Sequence, residues 1–484
     1  MHAPARLLLV TSNGAGMGHL TRQLSVALAA GESAAATLVS LSVALPVVAE
    51  HGLPAEYCPS VERGWMPPTS WHGYLRDRLV AVARETGAEV VAFDGVAPYP
   101  GIGMARPLLG DVAFVWVRRG MWRQGVNVAQ LKKGSIFDVV IEPGDLAQSA
   151  DRGATAGRDD AVRVPPISMI DVIERLPRAE AAAALGIRPD RPTALVTLGS
   201  GRLGEVAAPG MVALTTLLED PQWQVCVTKA AIAEQAVPLP SADRVIELRD
   251  VYPLVRYLAA FDAVVSAAGY NAVHEFVPAA LPTLLVPNPA TQTDDQEGRA
   301  GWLAERGLAL CAHPGDPAGM AAAVRRLSDP DTRRQLTAAC AALPEPVRSG
   351  GAKATATHLV DLAGTFVPSP PRFVERVRRV ERRARETVKH ALGPSGADTV
   401  RRLLGRTPMR GVATKLAVRV VTAPHEAESW DGRGVAPLLF GSDIPARLVR
   451  NGGPVEHLLA GTSPQYRAVR RAIIDEYYDV GGAG

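Results

Sequence analysis

The stretch VVSAAGYNAVHEFVPAALPTLLVPNPATQTDDQEGRA, residues 264–300, decides how the rest of the chain is read. Residues 261–266 form a short apolar run, the pattern of a strand covered on both faces of a parallel sheet. The run ends in Ala267, Ala268 and Gly269, and residues 270–279 then carry a helical period with Val273, Phe276 and Val277 on one face. Residues 283–286 are a second apolar run, and 288–293 a polar loop before a further helix. A strand, a glycine turn and a helix together make an anion site. Glycine lets the backbone come close, and the first N–H groups of the helix have no partner within it. Glu275 follows about one and a half turns later, where a carboxylate can accept from two vicinal hydroxyls of a ribose. Asp294, Asp295 and Gln296 open the next helix, in reach of sugar hydroxyls. The same residues also suit an ordinary βαβ unit with capping side chains.

Upstream, the strand at 193–198 runs into a second glycine turn, Gly199-Ser200-Gly201-Arg202-Leu203-Gly204, again suited to phosphate. Strands at 223–228, 244–248 and 308–311, with helices through 362, complete one α/β unit. An earlier unit alternates in the same way. It has strands at 6–11, 36–41, 89–93, 112–117 and 137–141 and helices at 19–30 and 75–86. The expected fold class is α/β: two Rossmann-like domains, with a mainly helical C-terminal extension. The boundaries fall at 1–165 for the first domain, 166–363 for the second, 364–371 for a proline-rich linker and 372–484 for the extension.

The first glycine turn, with Gly14, Gly16 and Gly18, could open a dinucleotide site. Such a site needs an acidic residue at the end of the second strand. That strand ends in Ser40, Leu41 and Ser42, which argues against a nicotinamide or flavin cofactor. His19 starts the first helix, where the dipole favours neutral imidazole and hence a base; it equally suits a turn cap. Asp94 stands at the carboxyl end of a strand, placed either to orient His19 or to cap the next element. The loop at 63–72 exposes Trp65, Met66 and Trp71 together. Arg118, Arg119 and Arg123 gather around Trp122, which suits an anionic partner or simple packing with solvated arginines.

The 484 residues are globular in composition, with 47% hydrophobic and 21% charged. Four cysteines without metal spacing point to a reducing compartment and to neither disulfides nor zinc. No signal peptide and no spanning run is read from the sequence, so a cytoplasmic protein is expected. The net charge of +3 conceals residues 372–419, which hold fourteen Lys and Arg against four Asp and Glu. This basic, amphipathic segment suits the inner face of a membrane, or packing and oligomer contact. Few aromatics interleave with the cations, which disfavours nucleic acid.

The glycine turns, the Ser266–Glu275 motif and the Asp294-Asp295-Gln296 opening resemble the two-domain nucleotide-sugar glycosyltransferases of family 28. That family includes the lipid II-forming N-acetylglucosaminyltransferases and the monogalactosyldiacylglycerol synthases. The resemblance spans residues 5–362. It implies a cleft between two facing domains, with the acceptor on the first and the donor, expected to be UDP-linked, on the second. It implies base contact through the backbone around Val251 and Tyr252. Diphosphate contact falls to Gly199, Ser200, Gly269, Tyr270 and Asn271, ribose contact to Glu275, and sugar contact to Asp295 and Gln296. The acceptor side would use Gly16, Gly18, Arg118, Arg119 and Trp122, with His19 as base and Asp94 as its partner. The implied chemistry is inverting transfer to a hydroxyl without metal or other cofactor, on a lipid-linked or cell-envelope acceptor. A soluble natural product as acceptor, a nucleotide-sugar 2-epimerase and a non-catalytic nucleotide-sugar binder are the competing readings. The family often has small residues where this chain has Tyr270.

Overall fold

The computed structural model describes residues 3–12, 16–42, 44–61, 68–201, 204–229, 235–240, 242–249, 251–345 and 349–368. Gly14, Trp65, Met66, part of the proline-rich linker and the whole 372–484 extension therefore lie outside the described residues.

The first domain carries strands β1 (Ala5–Thr11), β2 (Ala34–Ser40), β3 (Ala55–Tyr57), β4 (Val90–Asp94), β5 (Ala113–Val117), β6 (Val139–Pro143) and β7 (Val162–Val164). They form one seven-stranded sheet in the order β3-β2-β1-β4-β5-β6-β7, and every pairing is parallel. Helices α1 (Gly18–Ala30), α2 (Pro68–Thr86) and α3 (Pro100–Ala105) connect them. The period-two pattern of β1 explains the layering. Leu7 and Leu9 join the cluster containing Leu20 and Leu24 of α1, while Leu8 and Val10 meet Trp71, Leu75 and Leu79 of α2. Both faces are covered, so the strand reads as a continuous apolar run.

The second domain begins with α4 (Arg178–Leu185) and β8 (Thr193–Thr197), then α5 (Ala207–Leu218), β9 (Gln224–Lys229) and β10 (Val245–Arg249). It continues with β11 (Ala263–Ala267), α6 (Tyr270–Phe276), β12 (Thr283–Val286), α7 (Gln296–Glu305), β13 (Leu310–Cys311), α8 (Pro317–Ser328) and α9 (Pro330–Ala341). Its six strands pair in the order β10-β9-β8-β11-β12-β13. Aspartates cap three of its helices: Asp295, Asp316 and Asp329 each accept a hydrogen bond from a first-turn N–H.

The last described helix, α10 (Gly351–Thr365), corrects the sequence-based domain boundary. It packs on α1 and β1, so it belongs to the first domain although it follows the second in the chain. Asp171 Oδ2 accepts the Gly350 N–H at 3.0 Å at its start. Gly351 lies so close to the crossover that a Cβ there would sit 2.1 Å from the Pro165 carbonyl oxygen.

The tryptophan loop needs a second correction. Trp71 is not an exposed aromatic: it lies within α2, fully buried, and its Nε1 donates to the Pro59 carbonyl at 2.7 Å.

Candidate active site

In each sheet the strand order reverses beside the first strand of its domain, between β1 and β4 and between β8 and β11. Ligands of open parallel sheets bind outside the carboxyl ends of the strands at such reversals. The loops leaving these strands face one another across a cleft of about 780 Å³. Gly16, Gly18, His19, Arg22 and Arg119 line it from the first domain, and Gly199, Ser200, Gly269, Glu275, Asp294 and Gln296 from the second.

His19 is the second residue of α1. Asp94 ends β4 in parallel register with Thr11, the last residue of β1. The short turn between β1 and α1 therefore brings the two side chains together, with His19 Nδ1 2.6 Å from Asp94 Oδ1. Arg22, one helical turn beyond His19, donates Nε to Asp94 Oδ2 at 2.9 Å and Nη2 to Asp94 Oδ1 at 2.6 Å. Burial pushes the Asp94 carboxyl up, but Arg22 and His19 override it and leave the acid below its ordinary range. An ionised carboxylate only accepts, so Nδ1 must carry the proton shared with Asp94. Arg22 Nη2, 2.7 Å from Nδ1, is then a close neighbour rather than a donor to it. The lone pair falls to Nε2. Burial also lowers the His19 pKa, opposed by Asp94 and reinforced by Arg22 and Arg119. The imidazole is neutral at pH 7, the state a general base requires.

In the second domain, a glycine turn follows each of the two strands flanking the reversal. Gly199 has φ +93° and Gly201 φ +70°, a conformation that L side chains rarely adopt. Gly269 starts α6 without a side-chain cap on its first turn. Glu275 faces the cleft, and burial raises its carboxyl to about 8. Among the described residues no side chain pairs with it. Gln296 accepts the Asn288 N–H through Oε1 at 3.0 Å, which holds the loop at 288–293 against α7. Asn271 reaches across the cleft, donating Nδ2 to the Gly18 carbonyl at 3.3 Å.

Several sequence expectations move. Asp295 caps α7 through Gly298 N and is absent from the cleft wall, where its neighbour Asp294 stands instead. Val251 and Tyr252 do not border the cavity; Leu254 does. The Tyr252 hydroxyl donates to Met169 Sδ at 3.3 Å and lies 3.2 Å from Thr21 Oγ1. Tyr270 is a strut between domains, since its hydroxyl donates to the Gly144 carbonyl and accepts from Ile167 N, each at 3.0 Å. Arg118 is removed from the acceptor side, because it is fully buried and committed to Glu142 and Asp160. Trp122 is also buried, its Nε1 donating to the Arg119 carbonyl at 2.9 Å. An arginine-tryptophan cluster in sequence does not distinguish a ligand site from a packed ion-pair network.

His274 and Glu275, the pair an epimerase would call on, do not act together. Adjacent helical residues point apart. His274 is buried, Nδ1 donating to the Tyr270 carbonyl at 2.6 Å and Nε2 accepting from Leu146 N at 3.0 Å. Burial lowers its pKa to about 4.

Residues 236–346 match the glycosyltransferase family 28 C-terminal domain. The backbone resembles that of the spinosyn forosaminyltransferase SpnP, with a TM-score of 0.53 at 16% identity over 75% of this chain and 100% of that one. It likewise resembles the calicheamicin glycosyltransferase CalG4, with a TM-score of 0.50 at 20% identity over 76% of this chain and 100% of that one. At such identities the likeness speaks to the fold, which is the two-domain GT-B architecture. In sequence, the chain is similar to UDP-N-acetylglucosamine--N-acetylmuramyl-(pentapeptide) pyrophosphoryl-undecaprenol N-acetylglucosamine transferases. The Nocardioides sp. protein is 31% identical over 264 residues, which is 50% of this chain and 66% of the relative. The Halalkalibacterium halodurans protein is 27% identical over 137 residues, 28% of this chain and 38% of the relative. The match thus spans about a third to two thirds of these relatives' length. The chain is a family 28-like protein of the GT-B fold.

Proposed function

We propose that the protein transfers a sugar from a nucleoside diphosphate, UDP in the first instance, to an acceptor hydroxyl held by the first domain. The observation that carries this reading is the placement of the His19–Asp94–Arg22 cluster across one cleft from two glycine turns and the Glu275 carboxyl group. Glu275 takes the ribose hydroxyls, and the turns at 199–201 and 269–271 take the diphosphate through backbone N–H groups. Gln296, with Asn288 and Thr293 beside it, faces the sugar. His19 Nε2 removes the proton as the acceptor oxygen attacks the anomeric carbon from the face opposite the leaving group, which inverts that centre. Asp94 holds the tautomer and stabilises the imidazolium that forms. Charge on the departing diphosphate is met by donors fixed before the reaction, so transfer proceeds without a metal and survives a chelator.

The acceptor reading follows the curated relatives, whose names specify a pyrophosphoryl-undecaprenol acceptor. No helix among the described residues is long and apolar enough to cross a membrane. The basic 372–419 segment is the proposed contact with an anionic membrane, and liposome co-sedimentation with and without it tests that role. Thermal shift with UDP-, dTDP- and GDP-sugars tests the donor reading. Stabilisation by none of the three sinks it.

A further inference from the structure

Three arginines converge beside the cleft, and they are not equally engaged. Arg22 spends two donors on Asp94 and sends a third towards Asn271. Arg299 is fully buried and divides its guanidinium among Asp145 at 2.9 Å, the Ala268 carbonyl at 3.0 Å and Asp294 at 2.8 Å. Arg119 differs. It keeps some solvent exposure and makes one long bond, Nη1 to Asp294 Oδ1 at 3.2 Å. Its Nε is buried without a partner, although a guanidinium carries five N–H donors.

Its position is specific. The guanidinium lies 5.4 Å from the centroid of the Tyr270 ring, and Arg119 lines the same cavity as Gly199, Ser200 and Gly269. It is near enough to His19 to act on that ring's charge. Asp294 would not be stranded by its departure, because Arg299 holds the same oxygen more closely. The resting pair with Asp294 is thus a parking place, weak on one side and replaceable on the other.

Resting on the nucleotide-sugar reading above, we propose that Arg119 exchanges Asp294 for the diphosphate of the donor. It is a catalytic residue supplied by the acceptor domain to the leaving group bound on the donor domain. As the bond from the anomeric carbon to the diphosphate oxygen breaks, its electron pair stays on that oxygen, and Arg119 donates to the charge that develops. A guanidinium suits this task because it offers paired donors to phosphate oxygens without giving up a proton. Leaving-group stabilisation then depends on both domains being in contact.

Titration calorimetry on the full chain tests this, with UDP, dTDP and GDP and with the corresponding nucleosides as probes. Arg119→Gln should weaken the best diphosphate about tenfold or more while leaving the nucleoside unchanged, and Arg119→Lys should restore part of the loss. Asp294→Asn should do the reverse, tightening the diphosphate by freeing Arg119, and the double substitution should abolish that gain. A gain of this kind is not produced by a residue that only holds the domains together. Equal diphosphate affinity in wild type and Arg119→Gln, or no gain in Asp294→Asn, overturns the inference alone. Failure of the wild type to bind any of the three diphosphates overturns it together with the reading beneath it.

Discussion

Two side chains in the cleft carry perturbed protonation of opposite consequence. Burial lowers the His19 pKa below 6.5, so the base stays unprotonated further into acid than an exposed histidine. The acid limb of log kcat/KM against pH should therefore fall below pH 6.5; a limb at or above that value contradicts the assignment. His19→Ala should lose about 10²–10⁴-fold in transfer with donor affinity kept. Glu275 shows the other sign. Its carboxyl is raised from 4.5 to about 8, so between those values the unfolded chain has released a proton that the folded chain still holds. Stability contributed here is present at low pH and is lost as pH climbs through that window. Glu275→Gln removes the penalty: it should raise Tm at pH 8 relative to wild type, raise it less at pH 5, and weaken donor binding at both. A variant without a pH-dependent difference would show that Glu275 is not held neutral.

At the scale of elements, α10 depends on a contact that tolerates no side chain. A Cβ on Gly351 meets the backbone of Pro165 and Pro166, which cannot swing aside as a flexible side chain could. Gly351→Ala should cost about 1–3 kcal/mol, read as a lower denaturant midpoint at unchanged slope. Such contacts mark the limit of what the chain shows before folding. Buried parallel strands announce themselves as apolar runs, so β1, β4, β5, β8 and β11 are legible, and so are the turns that follow them. Asp94 and His19 are legible because strand ends and helix starts are where sheets present chemistry. The edge strands β3 and β7, three residues each, are too short to show a period. The return of α10 to the first domain is a matter of tertiary packing with no local signature. Arg22 escapes notice because an arginine one turn into a helix is ordinary until its carboxylate partner arrives from 72 positions away. Arg118 misleads for the mirror reason, since its partners Glu142 and Asp160 come from distant strands and loops.

Across the whole molecule, the two domains are held by a chain of charges and backbone bonds. Asp145 of the first domain binds Arg299 of the second, both almost wholly buried. Trp122 and Asp294 form an antiparallel bridge, and Arg123 N donates to the Thr293 carbonyl at 2.7 Å. Asp145→Asn leaves buried Arg299 with Asp294 as its remaining carboxylate, shared with Arg119, and should cost about 1–3 kcal/mol. Calorimetry should show one unfolding transition in wild type resolving into two in the variant; a single transition in both would mean that the network does not couple the domains. The path of α10 adds a last consequence. The last described helix sits on the first domain, so the chain passes into residues 369–484 from the half of the molecule that holds His19. On the proposed reading, whatever those residues bind is tethered to the domain that holds the acceptor, and the domain that holds the nucleotide is joined to it only through the first.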